Sequence, residues 1–162
     1  MIKIILYAED IAKAYAIANS RWKGKEDFGS TRNYRKSKTS ERVHQIGALG
    51  EVAVAKYYGW DVDILPRIKG DNGSDFLFCG KHIDVQTTSY NPPHLKYDTN
   101  HQFRADVAIL VRRVTEDSYE IAGWITAEIF EQHNTTRDYG YGLRKFVTPS
   151  DLMLPEKLLE TL

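Results

Sequence analysis

Three carboxylates and one amide stand out in this chain because their types and spacing suit a hard divalent cation. Asp75 precedes Phe76-Leu77-Phe78, and Asp84-Val85-Gln86 follows a little later. Residues 73–88 read as two short strands joined by a tight turn at Gly80-Lys81. Side chains alternate faces along a strand, so Asp84 and Gln86 share one face while Ile83 and Val85 point the other way. A two-residue turn at that position sets Asp75 opposite Gln86 on the same face. Two carboxylates and an amide oxygen then converge on one spot, backed by an apolar layer. A core strand does not need this set, whereas a divalent cation does.

A fourth residue joins them from a helix. From Ile46 to Trp60 the chain is almost wholly apolar or small, and only Glu51 and Lys56 carry charge. A helix apolar nearly all round is buried on most sides. Glu51 shares a face with Gly47, Val54, Ala55 and Tyr58, so its carboxylate is expected to be at least partly buried. Such a group must be paired with a cation, hydrogen-bonded or aimed at a metal. A salt bridge to a neighbouring Arg or Lys is the plain structural alternative.

The elements that must position these residues follow from periodicity and turn chemistry. A helix is expected over 9–22, with Ile11, Ala14, Tyr15, Ala18 and Trp22 on one stripe. Residues 23–40 read as a long loop, and 41–58 as a second helix stopped by Gly59. A short strand is expected at 61–65, then the hairpin 75–88, then a polar loop over 89–104. The continuous apolar run at 106–111 predicts a buried strand, and 119–125 another. Thr126 caps a short helix through His133. Residues 134–145 read as a loop, and a short helix begins near Pro155. The fold class is α/β: a central mixed sheet flanked by helices, in one domain over 1–162.

Bulk properties narrow the function classes. Net charge is zero across 162 residues, but it is unevenly spread. Residues 1–60 hold 11 Lys/Arg against 6 Asp/Glu, and residues 61–162 hold 11 against 16. Much of the positive excess falls at 21–42, where Trp22, Phe28 and Tyr34 interleave with basic residues. That mixture can grip phosphates and stack on bases, or it can be a solvated loop. The single cysteine, Cys79, excludes an intramolecular disulfide and a thiolate-rich zinc site. No apolar run reaches membrane-spanning length, and Met1 to Tyr7 is too short for a signal peptide. The expected compartment is cytoplasmic.

Glu51 in a small-residue helix, Asp75, Ile83-Asp84-Val85-Gln86-Thr87-Thr88, and then the strand at 106–111 resemble the PD-(D/E)XK nuclease superfamily. Ile121-Ala122-Gly123-Trp124-Ile125 and Phe146 to Leu152 are similar to its small phage and prokaryotic members. The resemblance covers about residues 41–155. It implies a Mg²⁺-dependent DNA endonuclease, with Mn²⁺ able to substitute. Asp75 and Asp84 would hold the metal, Glu51 would complete the site, and Gln86 would position the attacking water. Arg32, Arg35, Lys36, Lys38 and Arg42 would bind the DNA backbone, and a homodimer would suit double-strand cutting. The family usually carries Lys where this chain has Gln86. Gln can orient water but has no charge and cannot shuttle protons at neutral pH. Lys56, Lys69 and Lys81 are the candidates to supply that charge in space. The alternative is the same fold without catalysis, serving as a DNA-binding or protein-interaction module.

Other polar residues read as structural. His44, His82, His94, His101 and His133 lack the spacing of a helical metal pair. Cys79 is expected in a strand as a small packed side chain, and Trp124 in the core.

Overall fold

A run as apolar as Val107 to Val111 can be satisfied only at the centre of a sheet covered on both faces, and it lies there. The computed structural model describes residues 1–27, 38–62, 74–99, 103–138, 140 and 142–162. The chain runs through β1 (Ile2–Ile5), α1 (Ala8–Asp27), α2 (Lys38–Tyr58), β2 (Phe76–Phe78), β3 (Lys81–Thr88) and β4 (Leu95–Asp98). It continues with β5 (Val107–Arg113), β6 (Ser118–Thr126), α3 (Ala127–His133), β7 (Thr135–Asp138), β8 (Leu143–Val147) and α4 (Leu158–Thr161).

The main sheet has the order β1-β6-β5-β3-β2, and the second sheet β4-β8-β7. Among the described residues β3 and β5 pair in parallel and the other strand pairings are antiparallel. The protein is therefore a mixed α/β fold. Ile83, Val85, Val107, Ile109 and Val111 face a core shared with Ala14 and Ile17 of α1 and with Val52 and Val54 of α2. The opposite face carries Ala108, Leu110 and Ile125, which meet Leu95, Phe130 and Val147. A helical layer thus covers one face, and the second sheet with α3 covers the other. No helix among the described residues is long and apolar enough to cross a membrane.

Gly59 stops α2 with φ +72°, a left-handed conformation that glycine adopts at no steric cost. Thr126 caps α3 by accepting a hydrogen bond from the Ile129 N–H. Residues 23–27, expected as loop, continue α1, and 38–40 open α2. Trp124 is fully buried, as expected.

Several expectations need correction. The hairpin turns at Cys79-Gly80 rather than Gly80-Lys81. Cys79 has φ +48° and Gly80 φ +75°, two successive left-handed residues whose twist matches the flanking strands. Cys79 is accordingly exposed in the turn, not packed in a strand. The register becomes Phe76↔Ile83 and Phe78↔Lys81, which takes Asp75 away from Gln86. The loops expected over 89–104 and 134–145 contain β4, β7 and β8. Every residue of β7 is exposed, so it carries no apolar alternation by which a strand is recognised, whereas β4 alternates only over the four residues Leu95-Lys96-Tyr97-Asp98. Asp61 and Val62 are not in a strand, and 63–65 lie outside the described residues. The N-terminal strand β1 was not expected at all.

Candidate active site

The period of β3 places Asp84 and Gln86 together. Ile83 and Val85 are buried toward the helices, while Asp84 and Gln86 are half-buried on the opposite face. The Gln86 Nε2 donates to Asp84 Oδ2 at 2.8 Å. Tyr97 Oη donates to that same oxygen at 2.5 Å. Tyr97 comes from β4, and its ring is wedged between Phe103 (4.9 Å) and Phe130 (5.3 Å). Burial, then the Asp84 charge and hydrogen bond, push the Tyr97 phenol well above its usual range. The phenol therefore stays protonated and acts as a donor. Sequence reading missed Tyr97, because its stretch looked like a polar loop; an aromatic two residues from Leu95 was the only signal.

Asp75 sits at the free edge of the main sheet, just before β2. Its N–H donates to the Ile83 carbonyl at 2.7 Å, and its Oδ2 accepts the Val85 N–H at 2.7 Å. The carboxylate thus takes the place of a ladder carbonyl where β2 has run out. Burial first, then the charges of Glu51 and Asp84, push the Asp75 carboxyl well above the usual aspartate range. The Val85 N–H and the Arg21 guanidinium pull in the other direction and do not prevail. Asp75 is the member that feels both other carboxylates: Glu51 from the helical layer and Asp84 from β3.

Glu51 reaches this edge because Gly50 precedes it. A Cβ on Gly50 would fall 1.9 Å from Thr87 Oγ1, so only glycine lets α2 lie this close to β3. Glu51 is 5 % exposed and is held by a two-point ion pair. Arg21 Nη1 donates to Oε1 at 2.6 Å and Nη2 to Oε2 at 2.7 Å. The salt bridge expected as the plain alternative is therefore present, and Glu51 also acts on Asp75. Among the described residues, the cation beside Glu51 and Asp75 is Arg21. Lys56 is bonded to Asp10 at 2.6 Å, Lys81 is exposed at the hairpin turn, and Lys69 lies outside the described residues.

Of the expected DNA-binding residues, only the Arg42 side chain is among those described. Arg32, Arg35 and Lys36 lie outside the described residues, as does the side chain of Lys38. Arg42 is exposed on the first half of α2.

Carboxylate oxygens are the donors Mg²⁺ takes, and at this edge Asp75 feels the charges of both Glu51 and Asp84, while Arg21 acts on Glu51 and Asp75. Donor type and charge therefore fit a divalent cation. Among the described residues, however, no group of three His, Cys, Asp or Glu side chains is already arranged to hold a metal ion. Glu51 is turned to Arg21 instead. Comparison with family models, curated proteins and solved structures finds no match to this chain. The chemistry of the site must be argued from its own geometry.

Proposed function

We propose that this protein is a Mg²⁺-dependent DNA endonuclease acting at the Asp75–Asp84 edge. The observation that carries the reading is Asp75, a carboxyl that accepts the Val85 N–H and is raised first by burial and then by the charges of Glu51 and Asp84, which Arg21 does not offset. Such a concentration of negative charge favours a cation ligand, and perturbed carboxyls of this kind cluster at functional sites. Asp75 and Asp84 would hold Mg²⁺, or Mn²⁺ in its place, with Glu51 completing the set. When bound, the metal would polarise the scissile phosphate and lower the pKa of its water. Tyr97 keeps Asp84 oriented through its hydrogen bond. Gln86, its amide nitrogen committed to Asp84, would accept from the attacking water through its carbonyl. Arg21 supplies positive charge in a site that lacks the usual lysine.

The test is incubation with supercoiled plasmid and with branched DNA, with and without Mg²⁺. Metal-dependent cleavage that disappears in Asp84→Asn is the expected result. A folded wild-type protein that cuts neither substrate and binds neither Mn²⁺ nor Ca²⁺ overturns the reading. A second reading, a non-catalytic DNA-binding module, is favoured by one feature: the carboxylates already have internal donors in Arg21, Tyr97, Gln86 and the Val85 N–H. It predicts salt-dependent DNA binding with no cleavage in any divalent cation.

A further inference from the structure

A recess of about 430 Å³ opens between α1, the first half of α2 and the turn joining β5 to β6. Its size falls within the roughly 300–1,000 Å³ of small-molecule sites. Arg42, Gln45, Ile46 and Leu49 line one wall. Their spacing of three, four and seven residues sets them on a single face of α2. Tyr15 of α1 supplies a ring that is 42 % exposed. Arg113, from the end of β5, closes the far side together with Glu116.

Cationic charge dominates this recess. Arg42 is exposed, and no carboxylate of the described residues is paired with it. The Arg113 side chain is only 17 % exposed, and its Nε is buried without a hydrogen-bond partner among the described residues. Among the described residues its carboxylate contact is Glu116 at 3.4 Å, and Glu116 is 89 % exposed on the turn. A long pair to a solvated carboxylate contributes little and is readily exchanged for a better anion. Arginine presents a planar fork of donors that matches a phosphate. Gln45 adds an amide, Ile46 and Leu49 an apolar floor, and Tyr15 a face on which a flat ring can lie.

We propose that this recess binds a phosphate ester carrying a flat ring, with Arg42 and Arg113 on the phosphate and Tyr15 on the ring. Two sources supply that chemistry: a free mononucleotide, or one nucleotide of a DNA strand. Arg42 precedes Glu51 by nine residues of helix, roughly 13 Å along the axis and half a turn around it, so the recess and the carboxylate edge lie on opposite faces of α2. The site itself does not depend on the nuclease reading, because a free nucleotide would occupy it equally well.

Isothermal titration calorimetry in EDTA, which removes any metal from the carboxylate edge, tests this. The probes are inorganic phosphate, dTMP and a short single-stranded oligonucleotide. Wild type is expected to bind dTMP more tightly than phosphate. Arg42→Glu should weaken both by about tenfold or more, the loss of one charged hydrogen-bonding contact. Tyr15→Ala should weaken dTMP alone. The oligonucleotide binding more tightly than dTMP identifies a strand as the source; equal binding identifies a free nucleotide. Lys157→Glu, on the segment that Tyr58 anchors at the other end of α2, changes net charge equally and should have no effect. Failure of wild type to bind any probe at millimolar concentration overturns the proposal. So does unchanged binding in folded Arg42→Glu, or an equal loss in Lys157→Glu.

Discussion

The two polar regions served by α2 handle charge in opposite ways. At the sheet edge, Glu51, Asp75 and Asp84 are buried or half-buried, and their donors come from three elements: α1, β3 and β4. At the recess, among the described residues, Arg42 is exposed with no carboxylate partner, and the mostly buried Arg113 has a long contact to the solvated Glu116. Buried charges must be met from within the protein, since their desolvation is costly. Exposed charges are met by water and remain available to a ligand. Substitutions at the edge should therefore perturb both stability and chemistry, whereas substitution of the exposed Arg42 should perturb binding alone.

The sharpest test of this contrast is catalytic. Asp84→Asn should reduce Mg²⁺-dependent cleavage to background while costing only about 1 kcal/mol of stability, since Asn can still accept from Tyr97. Cleavage at the wild-type rate in that variant would remove Asp84 from the site. Next in size is Arg21→Met, which leaves Glu51 buried without its cation. A loss of about 3 kcal/mol in urea unfolding is expected. Adding Glu51→Leu should restore much of it, because an apolar pair avoids the desolvation of both ions. A single variant within about 0.5 kcal/mol of wild type would show the ion pair to be of surface character.

Gly50→Ala should cost about 1–3 kcal/mol, as the new methyl must displace Thr87 or lift α2 from β3. If lifting dominates, cleavage falls as well, because Glu51 moves with the helix. Asp75 gives a pH signature in metal-free protein. Its folded pKa lies above the unfolded value, so its contribution is fully present below the usual aspartate range. That contribution is lost as pH rises through the raised value. Asp75→Asn should flatten this decline in urea midpoints measured from about pH 4 to about pH 8. An unaltered slope would assign the decline to another group. The smallest effect is expected at the recess: Arg42→Gln should leave stability within about 0.5 kcal/mol, and a larger loss would mean that Arg42 is held by the fold rather than offered to a ligand.

Local order told much of this in advance. The two-residue period of β3 separated Asp84 and Gln86 from Ile83 and Val85, because strand geometry alone dictates that alternation. An acid in an apolar helix marked Glu51 as buried, because the helical repeat leaves it no polar face to occupy. Gly59 and Thr126 marked helix ends through backbone chemistry confined to a few residues. The pairings lay beyond such rules. Arg21 meets Glu51 across thirty positions, Tyr97 reaches Asp84 from a second sheet that its own polar sequence concealed, and Arg42 shares a recess with Arg113 only because α2 packs beside the β5–β6 turn. Even the hairpin register turned on Cys79 adopting a left-handed conformation that its residue type does not favour. Periodicity states which face a side chain takes; which partner waits on that face is decided by how the layers pack, and packing is a property of the whole chain.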